Sequence, residues 1–199
     1  MKYKVFLVLF FSVLFVRKGA SQEIGLGFVA GMCFAQIDGD NLAGYNNLGP
    51  YGGLKGTVAL KEDWELETQI NYILKGTRTA AHQLNFYNVN LHYLEFPVLI
   101  NYVWGGIWEE LWEDLGIVLT AGLSPNYLIH GVEDRGFGKE DIAEDLFRVD
   151  LTGTLGVGFR LTEKTMIRIR FNHSLTSVRK EPSEYWFNRS LSFTVESFF

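Results

Sequence analysis

The sequence has little cysteine, little proline and no excess of positive charge. One cysteine in 199 residues excludes a disulfide framework and any zinc site built from several thiolates. The 18 basic and 23 acidic residues give a formal net charge of -5, so the basic surface typical of nucleic-acid binding is missing. With 47% hydrophobic residues, the chain is also too apolar to be disordered throughout. The length suits one folded domain, for which we expect no nucleic-acid partner.

Only one long hydrophobic run occurs, and it lies near the N-terminus. Lys2 and Lys4 precede an apolar stretch over residues 5–16, and small residues follow at 19–21. A membrane-spanning helix needs about 20 residues, so this stretch is too short for one, but it fits the hydrophobic region of a secretory signal peptide. We therefore predict a signal peptide over residues 1–21, cleaved within a few residues of position 21, and one domain over residues 22–199. A retained membrane anchor is the alternative.

Beyond this segment, hydrophobicity alternates with a period of two. In residues 64–75, Trp64, Leu66 and Ile70 fall on one face, and Glu65 and Glu67 fall on the other. Such alternation is typical of a β-strand with one apolar and one polar face. The 16 Phe, 9 Tyr, 5 Trp and 21 Gly residues favour strands as well. Eight strands are predicted, over residues 24–36, 51–61, 64–75, 91–104, 115–129, 147–161, 167–172 and 191–199.

The predicted connections alternate between short and long. Strands two and three join near residues 62–63 and strands six and seven near 162–164, whereas four other connections are long and polar. In an up-and-down barrel, this pattern puts every long loop at one end and both termini at the other. Most of the strands also reach the about 9–11 residues of a tilted transmembrane strand. The predicted fold class is therefore all-β, an eight-stranded antiparallel up-and-down transmembrane β-barrel.

Three features favour a barrel whose apolar face points outward into lipid. The last residue, Phe199, lies on the apolar face of an alternating strand, which is the C-terminal signal typical of outer-membrane proteins. Aromatic residues gather near strand ends on the apolar face, at Trp64, Tyr72, Tyr102, Trp104 and Tyr127. The polar face carries nearly balanced charge, which could form ion pairs inside a narrow lumen. A soluble, exported ligand-binding barrel, with its charges in water, is the alternative.

The predicted lumen contains charged side chains that stabilise one another. A barrel of eight strands encloses only enough space for side chains to fill it, so the lumen should be polar and filled and not an open pore. The predicted structural network consists of Glu65, Glu67, Glu95, Arg148, Asp150, Arg168, Arg170 and Glu196.

The connection between strands four and five is of intermediate length. It places Trp104, Trp108 and Trp112 at spacings of four, which would group them on one face of a short helix. We interpret residues 105–114 as an interfacial anchor at the periplasmic rim. A wide hairpin with tryptophans at its edge is the alternative.

The sequence offers no convincing catalytic, cofactor or metal site. The four histidines are His82, His92, His130 and His173, and none has a serine at a useful strand spacing. His173 and Ser174 are adjacent, so in a strand they point to opposite faces and cannot form a nucleophile and base pair. Asp38, Asp40 and Asn41 have a spacing reminiscent of calcium ligands, but the rest of the loop pattern is missing. We expect no enzyme activity and no cofactor; a barrel enzyme acting on lipid is the alternative.

Several segments resemble the PorT-like outer-membrane β-barrel proteins. They are residues 31–40 (GMCFAQIDGD) followed by Gly44 and Tyr45, residues 66–76 (LETQINYILKG), and residues 93–102 (YLEFPVLINY). The resemblance implies an eight-stranded barrel in the outer membrane of a Gram-negative bacterium. It also implies a role in protein secretion as one option, since some members of that family take part in secretion.

Together, these observations predict a monomeric outer-membrane barrel of structural or interaction type. Its expected partners are outer-membrane lipid and the barrel assembly machinery, which would recognise the C-terminal strand. Proteins of a secretion machine are a further expected partner class under the alternative of an accessory secretion component.

Overall fold

The computed structural model describes residues 24–80, 86–104, 116–181 and 183–199. Within these ranges, no helix is long and apolar enough to cross a membrane. The predicted signal peptide, the predicted anchor over residues 105–114 and His82 lie outside the described residues. The strands are β1 (Ile24–Asp38), β2 (Asn47–Lys61), β3 (Trp64–Arg78), β4 (Asn88–Glu95), β5 (Val98–Trp104), β6 (Gly116–Asp134), β7 (Lys139–Asp141), β8 (Val149–Arg160), β9 (Thr165–Ser174) and β10 (Phe187–Phe198).

The strands close into one antiparallel ring. β1 pairs with β2 on one side and with β10 on the other, where the register runs from Gly27 opposite Phe198 to Asp38 opposite Phe187. β4 and β5 occupy a single position in the ring, because both pair with β3 and both pair with β6. β7 pairs only with β6, as a short extension. The ring therefore has eight positions, which confirms the predicted fold class.

The predicted strand over residues 91–104 is divided at Phe96 and Pro97. Pro97 has no N–H to donate, so the ladder is interrupted there. The neighbouring backbone groups are still satisfied, since Gln69 N–H donates to the Pro97 carbonyl at 3.1 Å and Phe96 N–H donates to the Pro125 carbonyl at 2.8 Å. β2, β4 and β10 begin earlier than predicted, β6 ends later, and β7 was not predicted.

The alternation in the sequence separates the two faces of the barrel wall. On β3, Trp64 and Ile70 are exposed on the outside, whereas Glu67, Gln69 and Asn71 are buried inside. The same division holds on β9, where Ile167, Ile169 and Phe171 face outward. This arrangement is the reverse of a soluble ligand-binding barrel, in which the apolar face points inward.

The connections define two different ends of the barrel. The short turns at 62–63 and 161–164 lie at one end, together with residue 24 and Phe199; we call this the turn end. Residues 39–46, 79–87, 135–148 and 175–186 connect strands at the other end, which we call the loop end. Within β3, Gly76 has a φ of +130°, and a Cβ at this position would lie 1.9 Å from the Val89 carbonyl oxygen. Glycine therefore permits the close approach of β3 and β4 near the loop end.

Candidate functional site

Five charged side chains form a cluster inside the barrel near the turn end. Arg168 and Arg170 alternate with outward residues on β9, so both point inward. The Arg168 guanidinium donates from Nη1 and Nη2 to the two carboxylate oxygens of Glu67 on β3, each at 2.9 Å. This bidentate geometry is the strongest arrangement for an arginine and a carboxylate. β9 and β3 are thereby joined across the lumen.

The cluster is completed by Lys55 of β2 and Glu196 of β10. Lys55 Nζ donates to Glu196 Oε2 at 2.9 Å, and Arg168 Nε and Arg170 Nη2 lie 3.4 and 3.6 Å from Glu196 Oε1. All five side chains are almost fully buried. We call Lys55, Glu67, Arg168, Arg170 and Glu196 the central cluster.

A second polar group lies closer to the loop end. Lys75 Nζ donates to Asn126 Oδ1 at 2.9 Å and lies 3.8 Å from Glu95 Oε1. The Tyr51 hydroxyl donates to Glu95 Oε2 at 2.7 Å. These contacts connect β2, β3, β4 and β6 through side chains that are buried in the lumen.

The carboxylate of Asp150 on β8 accepts hydrogen bonds from neutral side chains and forms no ion pair with a lysine or arginine among the described residues. Ser174 Oγ donates to Asp150 Oδ2 at 2.9 Å, and Asn188 Nδ2 donates to the same oxygen at 3.1 Å. Eight of the charged side chains buried among the described residues therefore balance, with Lys55, Lys75, Arg168 and Arg170 against Glu67, Glu95, Asp150 and Glu196. A ninth, Glu133, lies near the loop end and pairs with the exposed Arg135. Balance is physically necessary, because an isolated buried ion is costly.

The structure buries six of the eight residues of the predicted lumen network inside the barrel, in three separate groups, and leaves the other two outside these groups. Glu67, Arg168, Arg170 and Glu196 lie in the central cluster, Glu95 lies beside Lys75, and Asp150 lies among neutral hydrogen-bond donors. Glu65 lies at the turn end, where it is partly exposed and accepts a hydrogen bond from Arg160 Nη2 at 3.1 Å. Arg148 was predicted to share the inward face of strand six, but it is exposed and precedes the first residue of β8. The alternation of the sequence extends past the start of the strand, which is why the prediction included it. Phe199 is exposed, and its ring centroid lies 6.2 Å from that of Phe28 on β1.

Near the loop end, apolar side chains pack together in the interior beside the polar ones. Cys33, Ile37, Ile73, Leu91 and Leu128 line this part of the barrel wall and are fully buried. They pack in one cluster with side chains from the loop segments, namely Ile142, Ala143, Leu146, Val178 and Trp186. These loop residues form a cap, which we call the loop cap, over the barrel interior. Sequence reasoning missed it, because isolated apolar residues in an acidic segment carry no periodic signal.

A cavity of about 620 Å³ lies among the loops on the outer side of this cap. Arg179 stands over the Trp186 ring, with its guanidinium carbon 4.3 Å from the ring centroid, and its Nε lies 3.0 Å from Glu184 Oε2. Arg135 donates from Nε to Glu133 Oε1 at 2.5 Å. Both arginines of the cavity therefore have a carboxylate partner. We call this space the loop cavity; its lining also includes Gly39, Asp40, Asn41, Tyr87, Ser183 and Tyr185.

Asp40 lines the loop cavity and is partly buried. Its Oδ1 accepts the Leu42 N–H at 2.9 Å, and its buried Oδ2 has no hydrogen-bond partner among the described residues. Burial raises the pKa of the Asp40 carboxyl above its ordinary value. Burial and the nearby Glu133 carboxylate likewise raise the pKa of the Tyr87 hydroxyl.

The described histidines lie on the outer surface of the barrel. His92 Nδ1 and the Tyr72 hydroxyl are 2.6 Å apart in a hydrogen bond, and His130 Nδ1 lies 3.6 Å from Asp141 Oδ2. His173 points outward, 3.7 Å from Asp38, whereas the neighbouring Ser174 is buried and donates to Asp150. In residues 24–80, 86–104, 116–181 and 183–199, no three His, Cys, Asp or Glu side chains are grouped to hold a metal ion.

Two solved structures illustrate what this architecture is similar to. The neisserial surface protein NspA is 12% identical, with a TM-score of 0.52 over 87% of this chain and 97% of that one. Ail, the attachment invasion locus protein of Yersinia pestis, in complex with the heparin analogue sucrose octasulfate, is also 12% identical, with a TM-score of 0.50 over 89% of this chain and 99% of that one. At this identity the likeness concerns the fold. No curated protein matches the sequence.

The family is shown by the sequence itself. The model of the outer membrane protein beta-barrel domain matches residues 18–180, which is most of the chain. A β-barrel in lipid needs a polar inner face, an apolar outer face and a closed ring of strands. The described residues of this chain have all three features. The chain belongs to the outer membrane protein beta-barrel domain family.

Proposed function

We propose that the protein is a closed outer-membrane barrel of structural or interaction type, whose loops bind partners at the cell surface. The observation that carries this proposal is the filled interior. The central cluster crosses the lumen between β3 and β9, and the loop cap packs over the other half. Such an interior leaves the loop end as the surface for interaction, and it argues against an open pore.

The proposal includes export and assembly. A signal peptide over residues 1–21 would direct the chain across the inner membrane, and a C-terminal strand ending in Phe199 would be recognised by the barrel assembly machinery. The protein would act as a monomer in lipid, without a cofactor and without catalysis. The outward position of His173 and the buried position of Ser174 support the last point.

Reconstitution into a planar lipid bilayer tests the closed interior. We expect no stepwise conductance from the purified, heat-modifiable barrel, because buried ion pairs and the loop cap occupy the lumen. An open porin inserted under the same conditions serves as the positive control for insertion. Steady single-channel currents from this protein would contradict the proposal.

A role as an accessory component of protein secretion is a second candidate. It is supported by the resemblance of residues 66–76 and 93–102 to the PorT-like proteins. Deletion of the protein, followed by a survey of secreted proteins, separates the two candidates. Loss of a set of secreted proteins would favour the secretion role, and an unchanged set would favour the interaction role.

A further inference from the structure

The loop cavity has the size and lining of a site for a small polar ligand. Its volume is about 620 Å³, and ligand pockets in proteins have volumes of about 300–1,000 Å³. It lies at the loop end, which is the extracellular end of an outer-membrane barrel. We propose that the loop cavity binds a neutral saccharide unit of an extracellular glycan. This inference rests on the proposed interaction function and names its ligand class.

The charges of the cavity favour a neutral ligand. Arg135 is paired with Glu133, and Arg179 is paired with Glu184 and stacked on Trp186. Both guanidiniums keep Nη groups beyond these Nε contacts, but their positive charge is already balanced by the two carboxylates, so the lining has no surplus positive charge for a sulfate or phosphate. Asp40 adds negative charge to the lining, which further disfavours an anion.

The polar groups of the cavity suit sugar hydroxyls. A hydroxyl both donates and accepts, so it can donate to a carboxylate and accept from an amide at the same time. Asp40 lines the cavity with a carboxylate, whose Oδ1 also accepts the Leu42 N–H. Asn41 and Ser183 supply further donors and acceptors in the same lining.

The aromatic groups provide the apolar surface that the C–H face of a sugar ring packs against. Tyr185 is 64% exposed although it lines the cavity, so a large part of its ring is free for contact. Aromatic rings of this kind combine a rigid apolar face with little entropy to lose on binding. Tyr87 and Trp186 lie in the same lining.

The cavity wall is held in place before any ligand binds. Gly39 has a φ of +101°, and a Cβ there would lie 2.0 Å from the Tyr185 carbonyl oxygen, so the segments 39–46 and 175–186 are in close backbone contact. Asn41 adopts a φ of +63°, in the left-handed region, directly beside Asp40. A preformed wall lowers the ordering cost of binding.

Titration of the purified full-length barrel with neutral oligosaccharides tests the proposal. The detergent must be zwitterionic, because a glycoside detergent would present sugars itself. A panel of neutral glycans on an array identifies a binder, whose affinity is then measured by calorimetry. We expect saturable binding that Tyr185→Ala and Asp40→Asn each weaken about tenfold, the effect of losing one good contact.

Phe137→Ala is the matched control, because Phe137 is a fully exposed aromatic residue of the loop end outside the cavity lining. Its affinity should equal that of the unmodified protein, and heat-modifiable migration confirms that each variant is folded. Three results would overturn the proposal: no binding of any neutral glycan, equal affinity in the folded Tyr185→Ala and Asp40→Asn variants, or salt-sensitive binding of sulfated saccharides or of proteins only. The bilayer conductance experiment tests the closed barrel, and its result does not depend on any of these three outcomes.

Discussion

At the scale of single residues, the central cluster is the most demanding feature of the interior. Each arginine and lysine in it is buried where water cannot solvate the charge, so its partner carboxylates determine whether burial is tolerated. Removal of Glu67 leaves three buried bases, Lys55, Arg168 and Arg170, with Glu196 as the one carboxylate of the cluster. The consequence should be much larger than for an ion pair at the surface.

Glu67→Gln tests this difference. The substitution keeps the shape of the side chain but leaves Arg168 without the negative charge that faces both of its Nη atoms. We expect the free energy of unfolding to fall by about 3–5 kcal/mol, measured by urea unfolding of the barrel in lipid vesicles.

The matched control is Glu65→Gln, two residues away on β3. Its partner Arg160 and Glu65 itself are both partly exposed at the turn end. Water can replace that interaction, so the loss should stay below about 1 kcal/mol. Equal losses in the two variants would show that the central cluster is hydrated.

At the scale of elements, the loops are part of the hydrophobic core. Leu146 lies between β7 and β8, outside every strand, yet it is fully buried against residues of the barrel wall. Its backbone also forms an isolated bridge with Arg179, which connects the two loop segments of the cap. The loop cap therefore packs in the same hydrophobic cluster as the strands.

Leu146→Ala should leave a cavity beneath the cap. We expect a loss of about 2–5 kcal/mol in unfolding free energy, together with faster proteolysis of the segment 135–148. Leu175→Ala is the control, because Leu175 follows β9 and is mostly exposed. A stable, protease-resistant Leu146→Ala variant would mean that the cap does not depend on this contact.

The strands could be predicted from the sequence because each has two faces with different surroundings. Side chains alternate between the two faces of a strand, so Trp64 points outward and Glu67 points inward on β3. The sequence shows the same alternation between apolar and polar residues. Arg148 shows the limit of this reasoning, since alternation continues in the sequence where the strand has not begun. The loop cap and the loop cavity could not be predicted, because they depend on contacts between distant segments such as Leu146 and Val178.

At the scale of the whole molecule, the buried thiol of Cys33 reports on the closed interior. Cys33 is fully buried on the inner face of β1, within the apolar part of the lumen. A maleimide reagent in water should therefore leave the folded barrel unmodified and react only after heat denaturation. The measurement is a mass shift on a gel.

A positive control is the Ser183→Cys substitution in a Cys33→Ala background. Ser183 is exposed at the loop end, so its thiol should react in the folded protein. Rapid labelling of Cys33 without heating would show that reagents pass the loop cap, and the closed interior would then be incorrect.

The pairing of β1 with β10 has a consequence for how the barrel assembles. These strands come first and last among those described, and their ladder joins Gly27 to Phe198. Every shorter piece of the chain therefore has two unpaired strand edges, which invite pairing with other chains. Contacts between residues so far apart in sequence also form slowly. We therefore expect these edges to be open to pairing with other chains until β10 pairs with β1 and closes the ring.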